Sequence, residues 1–149
     1  MVADISIKDE VQRIASEVAG KEPHGIQLLV NNAGIAKDEE TRYETNGQPN
    51  LKDAQAISDF FMKSNPQSWA DSFQTNVTAQ FFMSMAFLPL LARGCDIVPG
   101  YTSSIVQISS NSGFLKSNTR GYISYSASKA GTVNLLTYVS RILVSLINL

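Results

Sequence analysis

Two short runs with the composition of strands limit what this chain can fold into: the first is almost wholly apolar, and the second is β-branched and apolar at Ile105, Val106 and Ile108. Residues 26–30 read Ile-Gln-Leu-Leu-Val, and residues 102–108 are rich in Ile and Val. Such runs are typical of strands in a parallel sheet that is covered on both faces by helices. Helical spacing precedes, separates and follows them. We therefore expect an α/β domain with a doubly wound parallel sheet.

The outer segments carry helix start and stop signals. Apolar spacing predicts a first helix over residues 7–19, with Ser6 as its N-cap and Gly20 at its end. A final helix is predicted from about Tyr122, with helical spacing that continues to residue 149. Residues 35–53 are polar and include three consecutive acids, so we expect an exposed loop there.

The middle of the chain predicts two more helices. A short one is expected at residues 54–62. Asn65 and Pro66 are typical of an N-cap and a first helical position, so a long helix should follow. Pro89 is expected to kink or end that helix, and Gly94 marks its stop.

Composition excludes several classes of protein. The 149 residues are 44% hydrophobic and 17% charged, with a formal net charge of −1, which is typical of one globular domain and argues against disorder or nucleic-acid binding. The single cysteine, Cys95, and the single histidine, His24, exclude an internal disulfide and a protein-only zinc site. A Ser-His-Asp hydrolase is disfavoured because no Gly-x-Ser-x-Gly segment occurs.

The chain ends bear on its location. The first residues lack the basic and apolar regions of a secretory signal, so a reducing, cytoplasmic compartment is expected. The last twenty residues are apolar but contain Arg141, Asn134 and several serines. These polar residues favour a buried amphipathic helix over a membrane span.

Tyr125 and Lys129 are the residues with the clearest chemistry. They are four apart on a predicted helix, so their side chains share a face. An adjacent ammonium stabilises a phenolate, and a phenol tuned in this way exchanges a proton with an alcohol or carbonyl oxygen. The pair alone is weak support, since this spacing also arises by chance.

Three further features accompany the pair. Residues 31–34, Asn-Asn-Ala-Gly, directly follow the first strand, at the edge where open α/β sheets bind ligands. Ser110 follows the second strand and places a hydroxyl at the same edge. Asn76 lies inside the long helix, where asparagine is unfavourable unless its amide has a task.

With these residues the chain resembles the short-chain dehydrogenase/reductase family. The matching segments span nearly the whole chain up to about residue 136 and occur in the family's order. Within the family the chain is most similar to members described as 3-oxoacyl-acyl-carrier-protein reductases, including those linked to rhamnolipid-type acyl chains. The resemblance rests on these residues: Asp4, Ile5, Asn31, Asn32, Ala33, Gly34, Asn76, Ser110 and Tyr125 to Lys129.

The resemblance implies an NAD(P)-dependent oxidoreductase with four catalytic residues and no metal. Tyr125 matches the acid/base that exchanges a proton with the substrate oxygen when a carbonyl is reduced or an alcohol is oxidised. Lys129 matches the residue that holds the nicotinamide ribose and lowers the tyrosine pKa. Ser110, or less favourably Ser109, matches the serine that orients the substrate carbonyl. Asn76 matches the helix asparagine that anchors a water in the proton relay.

The resemblance also implies a binding site for NADP or NAD. Asn32, Ala33 and Gly34 match main chain that approaches the cofactor ribose, and Lys129 and Tyr125 complete that side. Asp4 and Ile5 match the pair that lies beside the adenine. The cofactor supplies the hydride, while the protein supplies position and a proton.

Simpler structural roles remain open for several of these residues. Asn31 and Asn32 fit a plain turn, Ser110 fits one more loop serine, and Asp4 fits a cap near the chain start.

The sequence departs from the family at both ends. The glycine-rich turn that receives the cofactor pyrophosphate is missing, since only Gly20 and Gly25 precede Gly34. Residues 1–149 therefore resemble an incomplete, central part of a Rossmann-like reductase domain, which retains two neighbouring central strands. We expect weak cofactor binding and a poorly protected sheet from this chain alone.

Two hypotheses follow from this departure. One is a piece of a working reductase that acts on a small carbonyl or alcohol substrate and forms homo-oligomers at full length. The other is a catalytically silent chain that acts only through association with other chains. The choice between NAD and NADP and the identity of the substrate stay open, because the residues that read them are not in this sequence.

Overall fold

The computed structural model describes residues 1–115 and 120–147, with only the main chain described beyond residue 141. Residues 116–119 and the end of the predicted last helix lie outside the described residues. The elements follow in chain order: α1 (Lys8–Lys21), β1 (Leu28–Asn31), α2 (Tyr43–Asn46), α3 (Ala54–Phe61), α4 (Pro66–Phe73), a π-helical segment (Gln74–Thr78), α5 (Ala79–Gly94), β2 (Ser104–Gln107), a 3-10 turn (Asn111–Gly113) and α6 (Ile123–Ile147).

The two strands form a parallel pair, with Leu29 opposite Ile105 and Val30 opposite Val106. A partial α/β fold with parallel neighbouring strands is therefore confirmed. The carboxyl ends of both strands meet at one edge, so the segments that follow Asn31 and Gln107 lie near each other.

The core lies on one face of this sheet. Helix α5 packs against β1, and α1 packs against α5. Buried Leu29 contacts this layer, whereas Leu28 and Val30 on the opposite face are 54% and 49% exposed. The expectation that helices cover both faces was wrong for the described residues. The buried cluster consists of Ala15, Leu29, Phe87, Leu90 and Leu91.

Pro89 does not end the helix, although an end there was one of the two outcomes that the sequence predicted. Helix α5 continues through it to Gly94. Phe87, Leu90 and Leu91 on either side of the proline are all buried, and their packing compensates for the one lost main-chain hydrogen bond. The Leu90 carbonyl accepts a hydrogen bond from the N–H of Ile26.

Two of the predicted helix starts differ in outcome. The Asn65 side chain accepts from the Gln67 N–H and Pro66 takes the first turn, as predicted. At α1, however, Ile7 occupies the N-cap position without a side-chain bond. The Ser6 hydroxyl donates to the Asp4 carboxylate at 2.7 Å, so it does not cap the helix.

One described helical run, Pro66–Gly94, is long and apolar enough to cross a membrane by length and composition alone. It is not the C-terminal segment considered above. In this fold the run carries four buried polar side chains and packs against α1 and α6, as a core helix does. The polar residues are Ser72, Asn76, Gln80 and Ser84.

Gly94 allows a close approach between α5 and the segment before β1, so Gly94→Ala should destabilise the fold. A Cβ there would overlap the main-chain carbonyl of Ile26 and lie 2.8 Å from the Ser103 hydroxyl. We expect a loss of about 3 kcal/mol in the free energy of unfolding, measured by denaturant titration. The control is Gly20→Ala, which has open space in α1 and should stabilise by about 0.5–1 kcal/mol. Equal effects of the two substitutions would contradict this packing account.

Candidate active site

Lys129 lies at the centre of the candidate site. Its side chain on α6 is only 3% exposed, and its Nζ donates a hydrogen bond to the Ile108 carbonyl at 2.8 Å. The same Nζ lies 5.8 Å from the centre of the Tyr125 ring, as expected for residues one helical turn apart. Burial lowers the pKa of the Lys129 ammonium below its usual range.

The turn after β1 brings main chain directly against Lys129. A Cβ built at Gly34 would lie 3.1 Å from Lys129 Nζ and 3.1 Å from Asn76 Oδ1. Such contacts are tighter than ordinary packing, so the absence of a side chain at Gly34 is what lets these groups meet. The structure thus joins three elements of the predicted site, from β1, the π-helical segment and α6.

Asn76 is fully buried in the π-helical segment, and both N–H groups and the oxygen of its amide have hydrogen-bond partners. Oδ1 accepts from the Ile35 N–H, while Nδ2 donates to the Ile35 carbonyl and to Ser128 Oγ, each at 2.8 Å. The Asn76 carbonyl accepts from the Thr132 hydroxyl at 2.8 Å. These contacts explain an asparagine inside a helix, and π-helical turns frequently occur at functional sites. The water-anchoring role of Asn76 stays a prediction.

The two serines after β2 have different surroundings. Ser109 Oγ donates to the Lys129 carbonyl at 3.1 Å, which fixes this loop against α6. Ser110 Oγ accepts from the Ser112 N–H at 3.2 Å and donates to Asn111 Oδ1 at 3.3 Å. Because its partners are neighbouring loop residues, the Ser110 hydroxyl is the better placed of the two to turn toward a ligand. Its substrate-orienting role stays a prediction.

The Tyr125 hydroxyl makes no hydrogen bond with any residue in the ranges 1–115 and 120–147. The ring is half-buried, so the phenol is available to a bound molecule. The Tyr125 main-chain N–H donates to Asp38 Oδ2 at 3.1 Å. This contact corrects the prediction that residues 35–53 form an exposed loop, because Asp38 is 1% exposed.

The segment before α1 contains the predicted adenine-side pair. The exposed Asp4 carboxylate accepts from the Ser6 N–H and hydroxyl, and these hydrogen bonds lower the Asp4 pKa. The next residue, Ile5, is half-buried. The Ser6 carbonyl accepts from Gln74 Nε2 at 2.8 Å, which ties this segment to the start of the π-helical segment. No described contact joins Asp4 or Ile5 to Lys129.

A buried polar network beneath the strand ends was not predicted. Asn31 Nδ2 donates to Ser84 Oγ at 3.0 Å, and Gln107 Nε2 donates to the same oxygen at 3.3 Å. Gln80 Nε2 donates to the Ala33 carbonyl at 3.2 Å. The network fixes the turn that begins at Asn32, whose side chain is exposed. The sequence signal that could have predicted this network is the pair of polar residues, Gln80 and Ser84, that lie four apart in the apolar helix α5.

Replacing Lys129 by Met should flatten the alkaline pH dependence of stability. A lysine pKa lowered in the folded state means that the unfolded chain binds more protons above the folded-state value. Unfolding free energy should therefore rise with pH through the folded-state pKa, up to about pH 10.4, the unfolded-state value. Lys129→Met should lose this rise and melt no lower than the wild type at pH 7. Thermal unfolding from pH 7 to 10 measures both effects.

Lys52→Met, at an exposed loop lysine, is the control. An unchanged alkaline slope in Lys129→Met would contradict the assignment of this slope to Lys129.

Comparison with known proteins identifies the family to which this chain belongs. The family model of short chain dehydrogenases matches residues 1–143, so the chain belongs to the short-chain dehydrogenase family. The short-chain dehydrogenase/reductase PhomF of Diaporthe leptostromiformis is 32% identical over 132 residues, covering 89% of this chain and 43% of PhomF.

One further relative is similar in sequence, and one solved structure is similar in fold. The 3-oxoacyl-[acyl-carrier-protein] reductase FabG of Buchnera aphidicola is 26% identical over 132 residues, covering 89% of this chain and 42% of FabG. The solved RhlG/NADP complex of Pseudomonas aeruginosa superimposes with a TM-score of 0.72 at 24% identity, covering 97% of this chain and 47% of RhlG. The chain spans less than half the length of these proteins.

Proposed function

We propose that this chain carries the nicotinamide-side and proton-handling part of an NAD(P)-dependent oxidoreductase. The observation that carries the proposal is the convergence of three groups. The Lys129 ammonium lies beside the Tyr125 ring and against the Gly34 main chain, at the carboxyl edge of the parallel strands. Ligands of open α/β sheets bind at this edge.

The donor groups fit the ribose of a nicotinamide cofactor. The Lys129 ammonium has three N–H donors, and Ile108 is its one acceptor among the described residues. Two donors therefore remain for ribose hydroxyls. Gly34 presents main chain without a side chain next to them, so a ribose can approach closely. Asn32 and Ala33 would border the ribose, and Asp4 and Ile5 would border the adenine.

The residues divide the chemistry among them. When bound, the cofactor supplies or accepts the hydride. Tyr125 donates a proton to the carbonyl oxygen during reduction and removes one from the alcohol during oxidation. Lys129 holds the ribose and places positive charge beside the phenol. The Ser110 hydroxyl orients the substrate carbonyl, and Asn76 holds the loop from Ile35 and anchors a water of the proton relay.

The preferred cofactor is NADP and the preferred substrate class is a small carbonyl or alcohol compound. NADP is supported by two solved neighbours in fold, RhlG and a metagenomic short-chain oxidoreductase, whose structures are NADP complexes. Reduction of a 3-oxoacyl group is the narrower proposal, supported by the FabG relative. A panel of short 3-oxoacyl thioesters and simple ketones, assayed with NADPH and NADH in a form of the protein that shows turnover, tests both choices.

A second candidate function is association without catalysis, favoured by the exposed apolar sheet face. Leu28, Val30, Val106 and Ile108 are between 40% and 54% exposed. Light scattering of the 149-residue chain measures this tendency. Self-association that Val30→Lys abolishes, together with no response to NADPH, would favour this candidate over the oxidoreductase.

A further inference from the structure

Helix α6, which carries Tyr125 and Lys129, lacks an N-cap side chain of its own. Tyr122 precedes the first helical residue, Ile123, and its phenol cannot serve the first main-chain N–H groups as a short polar side chain does. A local cap would accept from the second and third helical residues, here Ser124 and Tyr125.

Asp38 supplies that missing cap from a distant loop. Its Oδ1 accepts from the Ser124 N–H at 2.8 Å and its Oδ2 from the Tyr125 N–H at 3.1 Å. The carboxylate is 1% exposed, and negative charge at a helix N-terminus is favourable. One buried side chain thus meets both N–H groups that a local cap would meet.

Further contacts hold the same loop to the residues before α6. Thr41 Oγ1 donates to the Gly121 carbonyl at 2.8 Å, and the Tyr43 N–H donates to the Arg120 carbonyl at 3.0 Å. Gly121 has a φ of +89°, and a Cβ there would overlap the Thr41 carbonyl. The loop and the start of α6 are therefore fitted to each other over several residues.

The other end of the loop is held by Asn76. The main-chain N–H and carbonyl of Ile35 both form hydrogen bonds with the side-chain amide of Asn76. Only two residues separate Ile35 from Asp38. The Arg42 guanidinium restrains the same loop by donating a hydrogen bond to the Ala36 carbonyl at 2.9 Å. Because two residues separate two anchored positions, we expect a displacement at Asp38 to reach Ile35.

We infer that Asp38 is a positioning residue that sets the Tyr125 and Lys129 helix against the loop beginning at Gly34. It acts through α6 and does not touch the reacting atoms. The functional role of this positioning rests on the proposed function, since the groups positioned are the proposed proton donor and ribose ligand. The mechanical coupling itself is measured without cofactor or substrate.

The test compares amide hydrogen exchange in Asp38→Ala, in Asp38→Asn and in Asp38→Ala combined with Tyr122→Asp. The added aspartate gives α6 a local cap. Because the Tyr122 ring lies 5.1 Å from the Arg42 guanidinium of the loop, Tyr122→Asp alone is measured beside the combined variant and should leave Ile35 protected. In Asp38→Ala we expect exchange to rise about tenfold at Ser124, Tyr125 and also at Ile35. Asp38→Asn keeps one acceptor oxygen, so its exchange rates should rise less. This variant can still be measured if Asp38→Ala fails to fold.

The combined variant separates positioning from plain capping. Positioning predicts that the local cap restores protection at Ser124 and Tyr125 but leaves Ile35 fast. Restoration at all three sites, or an unchanged Ile35 in Asp38→Ala, would overturn the inference. The matched control is Asp53→Ala, because Asp53 caps α3 locally through Gln55 and Ala56 and should affect α3 alone.

A second measurement links the coupling to the site. If the wild type binds NADPH, affinity should fall at least severalfold in Asp38→Ala and should not recover in the combined variant; recovery there would overturn the inference. An absence of NADPH binding in the wild type would count against the proposed function. The exchange result at Ile35 would then still decide the coupling.

Discussion

Tyr125→Phe should lower carbonyl reduction roughly 10²–10⁴-fold while NADPH affinity stays within about twofold, because only the proton donor is removed. The phenol has no partner among the described residues, so its loss should not disturb the fold. The measurement is steady-state NADPH oxidation with a carbonyl substrate, in a form of the protein that shows turnover, together with cofactor titration by fluorescence.

Tyr138→Phe is the matched control, since Tyr138 lies on the same helix and is 59% exposed. It should change neither rate nor affinity. Near-full turnover in Tyr125→Phe would remove Tyr125 from the role of acid/base.

Asn76→Ala should be the most destabilising of the site substitutions. It removes three hydrogen bonds of 2.8 Å from a fully buried amide, leaves both main-chain groups of Ile35 without their partner, and creates a cavity. We expect a loss of about 2–4 kcal/mol in the free energy of unfolding, or roughly 5–15 °C in Tm. Thermal and denaturant unfolding of the 149-residue chain measure this.

The control for Asn76→Ala is Asn134→Ala, at an exposed position on α6. Alanine favours a helix, so this change should be neutral or slightly stabilising. A Tm of Asn76→Ala equal to that of the wild type would show that the π-helical segment does not depend on this amide.

Local sequence signals predicted the elements whose causes are local. The first helix was expected at residues 7–19 and occupies Lys8–Lys21, and the short helix expected at residues 54–62 occupies Ala54–Phe61. The strands expected at residues 26–30 and 102–108 occupy Leu28–Asn31 and Ser104–Gln107, so each begins two residues later than expected and ends within one residue of the expected end. Periodicity and capping act over a few residues, so a single sequence contains them.

Features decided by tertiary contacts were not predicted. Helix α5 passes through Pro89 because the buried side chains around it hold the helix in the core. The acidic residues 38–40 suggested an exposed loop, yet Asp38 is buried against main chain 86 residues away. A distant cap leaves no periodic signal in the sequence. The sheet has helices packed on one face only among the described residues. Which face is covered depends on where the helices pack, and the local sequence of a strand does not contain that information.

The candidate site was predicted in part. Gly34, Asn76 and Lys129, which the sequence places on three different elements, converge in space, and the Tyr125 ring lies beside them. The loop anchor Asp38 was missed, because its task is set by geometry rather than by a local motif.

The most direct test of the central claim is whether the 149-residue chain binds NADPH. Binding is measured by NMR, as saturation transfer from the protein to the nicotinamide protons. We expect weak, saturable transfer, because Lys129 and the Gly34 turn hold the ribose while the sequence lacks the glycine-rich turn for the pyrophosphate. Transfer should be retained in Tyr125→Phe and lost in Lys129→Met. Transfer of equal strength in the wild type and Lys129→Met, or no transfer in the wild type, would contradict the account.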